Sequence, residues 1–504
     1  MLEWVARHNV PAGYVPVIND AVTDSFGNTY ITGYIWIHDQ FDTRDCITLK
    51  FNSSGELVWS RTYNGLPNLA DESNALCVDK KGNCYIAGFS VLSGYLIIKY
   101  NINGDSVWVR TYNSSNGPNQ ARDIAIDYQG NIYVTGHSYQ STFPDFTTIK
   151  YDSLGNQLWI VFYNGLSDRN DFARQITLDK NNDVIISGNS QRSGSINDVV
   201  TIKYNSSGDS IWNKMYSGVN NQGAGGPNNL LTDDSSNIYF YCNGSRIIKY
   251  NSSGDSLLIF GVSDSIQSMS FCLDSTHNFY IASTVPGMNI RTDCITIKYN
   301  STGTLLWQQK YAGSLFLSDD AGRDVAIDKY GNVYAAGYMD SGRIAYDYLT
   351  IKYDNDGNFL WKARYGFGSS FIDDKAYFIG LDTAINIYIT GLSGGAISTI
   401  KYSQPPVGVI NLGGEVPKEF KLFQNYPNPF NPITNVKFRI PNESFAKLTL
   451  YDVLGREIAI LVNEQLKPGT YEIQWDGTNY PSVAYFYRIE AGDYIESKKM
   501  VLIK

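Results

Sequence analysis

The sequence predicts an all-β protein: an eight-bladed β-propeller of four-stranded blades, closed by its own N-terminal strand and followed by a small Ig-like β-sandwich. Three observations carry that reading. The phrase IKYNSSGDSIW at Ile202 recurs as IKYNSSGDSLL at Ile248 and in looser form at Leu49, Ile98, Ile149, Ile297 and Ile351, with an unfinished copy at Ile400. A second phrase, of the type DYQGNIYVTG at Asp127, precedes each of them, starting at Asp24, Asp79, Asp127, Asp179, Asp233, Asp274, Asp328 and Asp382. After Tyr402 both patterns stop.

The lysines of the first phrase, Lys50, Lys99, Lys150, Lys203, Lys249, Lys298, Lys352 and Lys401, are spaced about 50 residues apart, the period of a propeller, solenoid or array. With 38 Tyr, 23 Phe and 45 Gly in 504 residues, the balance favours strands and tight turns. A net charge of −9 and no Lys/Arg cluster with interleaved aromatics argue against nucleic acid as a partner. No run of 18 apolar residues is present, so no transmembrane helix is expected.

Each unit reads as four strands. The first is short and alternating, as in Asp123 to Ile126, where Ile124 and Ile126 share a face. A DxxGN turn leads to the second strand, NIYVTG, and the third is TTIKY. In Asn205-Ser206-Ser207-Gly208 the Asn starts the next turn and the Gly takes the positive φ that closes it. The fourth strand carries a Trp such as Trp212, replaced once by Leu258, read as a plug between neighbouring units. Radial repetition of such units is a propeller. The last Lys phrase lacks a Trp strand, whereas Glu3-Trp4-Val5-Ala6-Arg7 is a Trp strand with no unit before it. Lending it to the final blade completes eight blades and removes the open edge. The propeller is therefore placed at 1–402; the alternative is a truncated N-terminus with upstream units missing. A Pro/Gly-rich linker follows at 403–418, then short alternating strands over 419–504 that suggest a small sandwich.

The C-terminal part resembles the sorting domains of cargo of the type IX secretion system. The residues that carry the resemblance are Gln424-Asn425-Tyr426-Pro427-Asn428-Pro429-Phe430-Asn431-Pro432, Tyr451-Asp452, Leu454-Gly455-Arg456-Glu457, Trp475-Asp476-Gly477 and Lys498-Lys499-Met500. Val483-Ala484-Tyr485-Phe486 departs from the family, whose members carry Gly-Val before the aromatic pair. The resemblance implies export with a signal peptide, which MLEWVARHNV is not and which is expected ahead of Met1 in the precursor. It further implies passage across the outer membrane by the type IX machinery, and a secreted or outer-membrane-attached location. Residues 17–402 resemble the bacterial β-propeller repeat family abbreviated SBBP, which implies a fold and a surface location but no activity.

Candidate sites follow from positions where repeats agree or differ. The eight lysines read as structural, pairing with turn carboxylates or extending to solvent, rather than as an anion-binding ring. The cysteines share slots with small or apolar residues and read as buried thiols, with a Cys77–Cys84 disulfide as an alternative. The histidines, His8, His38, His137 and His277, fall at unrelated repeat positions, and no CxxC is present, so zinc is not indicated. Asp71, Asp171, Asp320 and Asp374 stand eight residues before the turn Asp, with Asn119 in the same slot. Two readings apply: a Ca²⁺ site near the channel mouth, or loop caps paired with arginines such as Arg174 and Arg323.

No catalytic constellation emerges. The GxxxW phrase is reminiscent of eight-bladed quinoprotein dehydrogenases, but the adjacent cysteines of their cofactor site are missing. In the sialidase box Asp precedes Trp by five, whereas Asp152 precedes Trp159 by seven. The expectation is a non-enzymatic scaffold for protein or glycan binding or adhesion, without a cofactor. The alternatives are a quinoprotein-like or polysaccharide-active propeller and a structural envelope component. Strand order sets the binding face: the short DxxG and NSSG turns share one smooth face, and the long dissimilar links share the other. The long links hold Trp36 and His38, Tyr139 and Phe143, Phe316, and Phe367 with Phe371. Of these, Trp36, Tyr139, Phe143, Phe316 and Phe371 are the candidate ligand-binding residues.

Overall fold

The computed structural model describes residues 2–37, 43–65, 69–114, 117–194, 196–218, 224, 226–242, 246–262, 266, 269–287, 291–313, 319–340, 345–368, 372–403, 410–411, 416–477 and 480–503. Two compact units emerge, Leu2–Tyr402 and Ser403–Lys504. The first is eight four-stranded antiparallel sheets in sequence order, each innermost strand packing against that of the next blade and the last against the first. Blade 8 takes its outermost strand from Leu2–His8, which pairs with Ala396–Tyr402 through Trp4↔Lys401 and Ala6↔Thr399. The ring is an eight-bladed propeller closed by its N-terminal strand.

One glycine explains how the second strand meets the first. In blades 1, 2, 3, 4, 7 and 8 the innermost strand bulges by one residue opposite a glycine of the second strand, as between Ala121 and Asp123 opposite Gly136. A Cβ on Gly136 would run into the carbonyl oxygen of Gln120. In blade 6 the slot is Ser283 and the strands pair without a bulge. Bulges of this kind re-aim side chains, and in blades 1, 3, 4 and 7 they turn an Asp or Gln toward the neighbouring blade.

The phrase that opens the sequence reading stitches adjacent blades together. Trp108 Nε1 donates to the Ser153 carbonyl in the next blade's turn at 3.3 Å, and Lys99 Nζ donates to the same oxygen at 2.9 Å. Trp159 and Lys150 share Ser206 O, and Trp307 and Lys298 share Asn355 O. Across the closure Trp4 Nε1 donates to Ser53 O at 3.2 Å. Lys50, Lys150, Lys203 and Lys298 are buried, so the expectation that such lysines extend to solvent is corrected. In every blade but the fourth the ammonium lies over a second-strand tyrosine ring, as Lys150 over Tyr133 at 4.9 Å, a cation–π contact; the tyrosine hydroxyl donates to the turn Asp, as Tyr133 to Asp127 at 3.0 Å, except in blade 1, where Tyr30 donates to Gly82 O. In blade 4 the tyrosine is replaced by Ile185, and Lys203 instead pairs with Asp179 at 2.8 Å.

The six cysteines are free. Cys77 lies opposite Tyr85 and Cys84 opposite Val78; strand residues directly opposite share a face, so the two thiols point to different faces of their blade. The second unit is two four-stranded sheets around one core that includes Phe430, Phe438, Leu448, Trp475, Tyr487 and Met500.

Candidate functional site

The strand-one aspartates sit at the bases of the long loops. Gly65 N–H donates to Asp71 Oδ2 at 2.6 Å, Gly165 N–H to Asp171 Oδ2 at 2.5 Å, Gly313 N–H to Asp320 Oδ2 at 2.6 Å and Phe367 N–H to Asp374 Oδ2 at 2.7 Å. Each carboxylate thus fixes the chain leaving the preceding blade. Asp320 and Asp374 also accept from Asp340 N–H and Gly394 N–H in the link between strands two and three of their own blade. Asn119 does the same through Tyr139 N–H at 2.9 Å. All four aspartates are buried, and burial pushes Asp71, Asp171 and Asp374 above the usual carboxylate range. The arginines have other partners: Arg174 Nε donates to Asn189 and Arg323 to the Tyr338 hydroxyl. The four carboxylates are distributed over separate blades and do not gather at one point.

Of the candidate ligand-binding aromatics, Trp36, Tyr139 and Phe143 are half-buried, and Trp36 and Tyr139 lie not in the long links, as expected, but at the ends of the second strands Thr29–Ile37 and Ile132–Tyr139, where pairing with the neighbouring strands continues. The Tyr139 ring lies against Gly117, where a Cβ would meet Cγ at 2.6 Å. Phe316, Phe371 and His38 lie outside the described residues. Phe367 is half-exposed, with the Arg7 guanidinium 3.5 Å above its ring.

The short-turn face is not smooth, contrary to expectation. Phe26 and Tyr128 project from its turns at 75% and 78% exposure, because the two middle positions of a DxxG turn face solvent. A cleft of about 510 Å³ opens between blades 3, 4 and 5, lined by Ile126, Asp127, Tyr128, Thr177 and Lys180. Another of about 480 Å³ lies on the far side of Tyr128, lined by Lys80, Asn83, Gln129 and Leu154. On the same face His277 Nε2 lies 3.2 Å from Asp233 and 3.3 Å from Asp234. Among the described residues this is the group of three whose ligand atoms all fall within 4.8 Å of one another. The sequence reading missed it because its members come from turns of different repeats; the signal was a His where four of the eight repeats have Gly.

The central axis holds three further carboxylates. Asp123 Oδ1 accepts from Ile124 N–H and Oδ2 from Ile176 N–H of the next blade, both at 2.8 Å. Asp20 bridges likewise to Leu76, and Asp324 to Ile379. A water can touch each of them, yet protein encloses them on all sides. Burial is the main cause that raises Asp20 to about 6 and Asp123 to about 7, and the charge of Asp20 adds to the rise at Asp123. Folded, these groups hold protons that the unfolded chain releases near pH 4. Their contribution to stability is therefore greatest below about pH 4 and declines as pH rises to about 7. Tm at pH 5.5 should exceed Tm at pH 8, and Asp123→Asn should flatten the slope whatever it does to Tm itself; an unchanged slope removes Asp123 as its source.

In the C-terminal unit the motif residues build the fold. Phe430 packs on Trp475 at 5.3 Å, and the Asn425 side chain donates to Pro427 O and to the Thr434 hydroxyl. Asp452 closes the Leu454-Gly455-Arg456 turn by accepting from Leu454 N–H, Arg456 N–H and Arg456 Nε. At the departure from the family pattern, Tyr485 is still buried against Trp475 at 5.3 Å.

Comparison with known proteins agrees with this geometry. Residues 424–504 match the family described as secretion system C-terminal sorting domain, and residues 113–144 match the β-propeller repeat family. No curated protein matches the chain. Similar solved structures include a protein of unknown function from Bacteroides caccae, 14% identical, covering 55% of this chain and 94% of that one at a TM-score of 0.34. Another is PorZ, a bacterial surface component of the type-IX secretion system of Porphyromonas gingivalis, 11% identical, covering 97% and 75% at a TM-score of 0.27. The fold assignment rests on the strand pairing of this chain rather than on those likenesses. No helix is long and apolar enough to cross a membrane among the described residues. The chain folds as an eight-bladed β-propeller with one stretch that matches the β-propeller repeat family, and its C-terminal unit matches the secretion system sorting domain that marks it as secreted or attached at the cell surface.

Proposed function

We propose that the propeller is a non-enzymatic scaffold for binding or adhesion, with a protein or glycan as ligand and the long-loop face as its recognition surface. The supporting observation is that one device, a buried Asp accepting backbone N–H groups, anchors the bases of loops that are otherwise dissimilar. Anchored bases let loop tips vary without disturbing the blades, the usual arrangement of a binding face on a rigid frame. A screen of glycans and surface proteins against the intact chain tests this. Trp36→Ala and Tyr139→Ala should each weaken capture about tenfold or more, the effect of losing an aromatic anchor, with Tm little changed. A second reading is favoured by the exposed Tyr128 between two clefts. If Tyr128→Ala abolishes capture and the Trp36 and Tyr139 variants do not, recognition belongs to the short-turn face.

A further inference from the structure

The strand-one aspartates have partners that the repeat pattern alone did not reveal. The residue that opens or nearly opens strand three of one blade meets the start of strand one of the next: Asp45 with Asp71, Asp293 with Asp320 and Asp347 with Asp374 through the backbone, and Asp145 with Asp171 closely enough for the two charges to repel. In three of these pairs the N–H of the second Asp donates to the carbonyl just before the first, Asp71 to Arg44 O at 2.7 Å, Asp320 to Thr292 O at 2.8 Å and Asp374 to Tyr346 O at 2.8 Å. Where strand three opens with Gly94, the next blade has Asn119. At these five blade junctions the chain brings two carboxylates together or none, whereas between blades 4 and 5 the equivalent Asp198 faces no second carboxylate in the repeat slot, which is Gly225, and has Arg192 Nε at 3.5 Å.

Two like charges in a buried space are relieved by a cation or by a proton held on one of them, and the junctions differ in whether the protein supplies a cation. Asp293 pairs with Lys310 at 2.6 Å and Asp347 with Arg364, both on strand four, opposite Ile295 and Leu349. In the same slot blade 3 has Phe162, opposite Thr147, and blade 1 has Thr62, opposite Ile47. Asp145 and Asp45 accordingly have no basic partner among the described residues. Asp145 and Asp171 are 4% and 1% exposed, and Oδ1 of each accepts no hydrogen bond; Asp71 Oδ1 is in the same state. The Ser190 hydroxyl lies near enough to Asp171 to favour its charge, but outside hydrogen-bond geometry to Oδ1. The exposed Asp168, on the loop after strand four, adds its negative charge to both. Uncompensated negative charge, orphaned carboxylate oxygens and an all-oxygen donor set coincide at these two junctions.

We propose that a calcium ion binds between blades 3 and 4 at Asp145 and Asp171, with water completing its shell and the Asp168 charge beyond it, and a second between blades 1 and 2 at Asp45 and Asp71. Calcium takes oxygen ligands from carboxylates, carbonyls and water in adaptable geometry, and it does for these junctions what Lys310 and Arg364 do for theirs. The ion would tie the loop after one blade to the start of the next. The proposal differs from a calcium site at the channel mouth in two respects: it pairs each strand-one Asp with a strand-three Asp, and it excludes Asp320 and Asp374. It is independent of the binding reading, because calcium uptake is measured with no other ligand present.

The test is calcium titration of the intact, chelator-washed chain by calorimetry, with melting curves in parallel. The wild type should take up calcium with a rise in Tm. Asp145→Asn and Asp45→Asn should each remove one bound ion, and Asp293→Asn none. Phe162→Lys places a cation where blade 6 has Lys310, at a position 44% exposed, and should remove one ion while keeping the fold, so the test survives if Asp145→Asn misfolds. No uptake by the wild type at 10 mM calcium overturns the proposal, and so does uptake that Asp45→Asn and Phe162→Lys leave unchanged.

Discussion

Removing Leu2–His8 should lower Tm by about 5 °C or leave the chain insoluble. The strand contributes the outer ladder of blade 8, from Leu2↔Tyr402 to His8↔Ile397. It also carries the Trp4 bond to Ser53, the Lys401–Glu3 ion pair at 2.8 Å and the Arg7 bonds to Ser393. Its loss exposes the backbone edge of Ala396–Tyr402, a strand otherwise buried along most of its length, and such an edge invites pairing with other chains. Losses of this kind exceed the ~1 kcal/mol centre of single-substitution effects several-fold, and each kcal/mol shifts Tm by about 1 °C in a unit as large as Leu2–Tyr402. Thermal melting with sedimentation of the truncated chain checks this. A monomer with an unshifted Tm would mean that blade 8 is complete without the strand.

Much of this fold was legible because its signals are local. The DxxGN and NSSG turns, the period-two strands and the Trp slot lie within a few residues of one another, and counting them exposed the blade that needed Trp4. What the sequence left open depends on contacts between repeats. Lys150 looks solvent-bound in its own hairpin, yet its ammonium meets Ser206 O in the following blade. Asp123 opens an ordinary strand until the bulge beside Ala121 turns its carboxylate toward Ile176, fifty-three residues on. Asp171 was visible as a repeated acid, but its neighbour Asp145 belongs to another strand of the preceding blade, and no spacing within one unit relates them. The smooth short-turn face was a misreading of uniform turn chemistry: a fixed Asp and Gly frame two free positions, and Phe26 and Tyr128 occupy them.

The central claim, that the C-terminal unit delivers this propeller to the outside of the cell, is tested most directly by deleting 419–504 from a precursor carrying an export signal in a host with the type IX machinery. The sorting motif residues are structural as well as diagnostic, with Phe430, Trp475 and Met500 in one buried cluster, so the unit should act as a whole and its removal should abolish delivery rather than reduce it. The propeller is a separate compact unit ending at Tyr402 and should stay folded. Fractionation with surface protease treatment should then find the truncated protein in the periplasm, intact and protected, while the full-length protein is cleaved at the surface or recovered from the medium. Equal surface delivery of both would contradict the account.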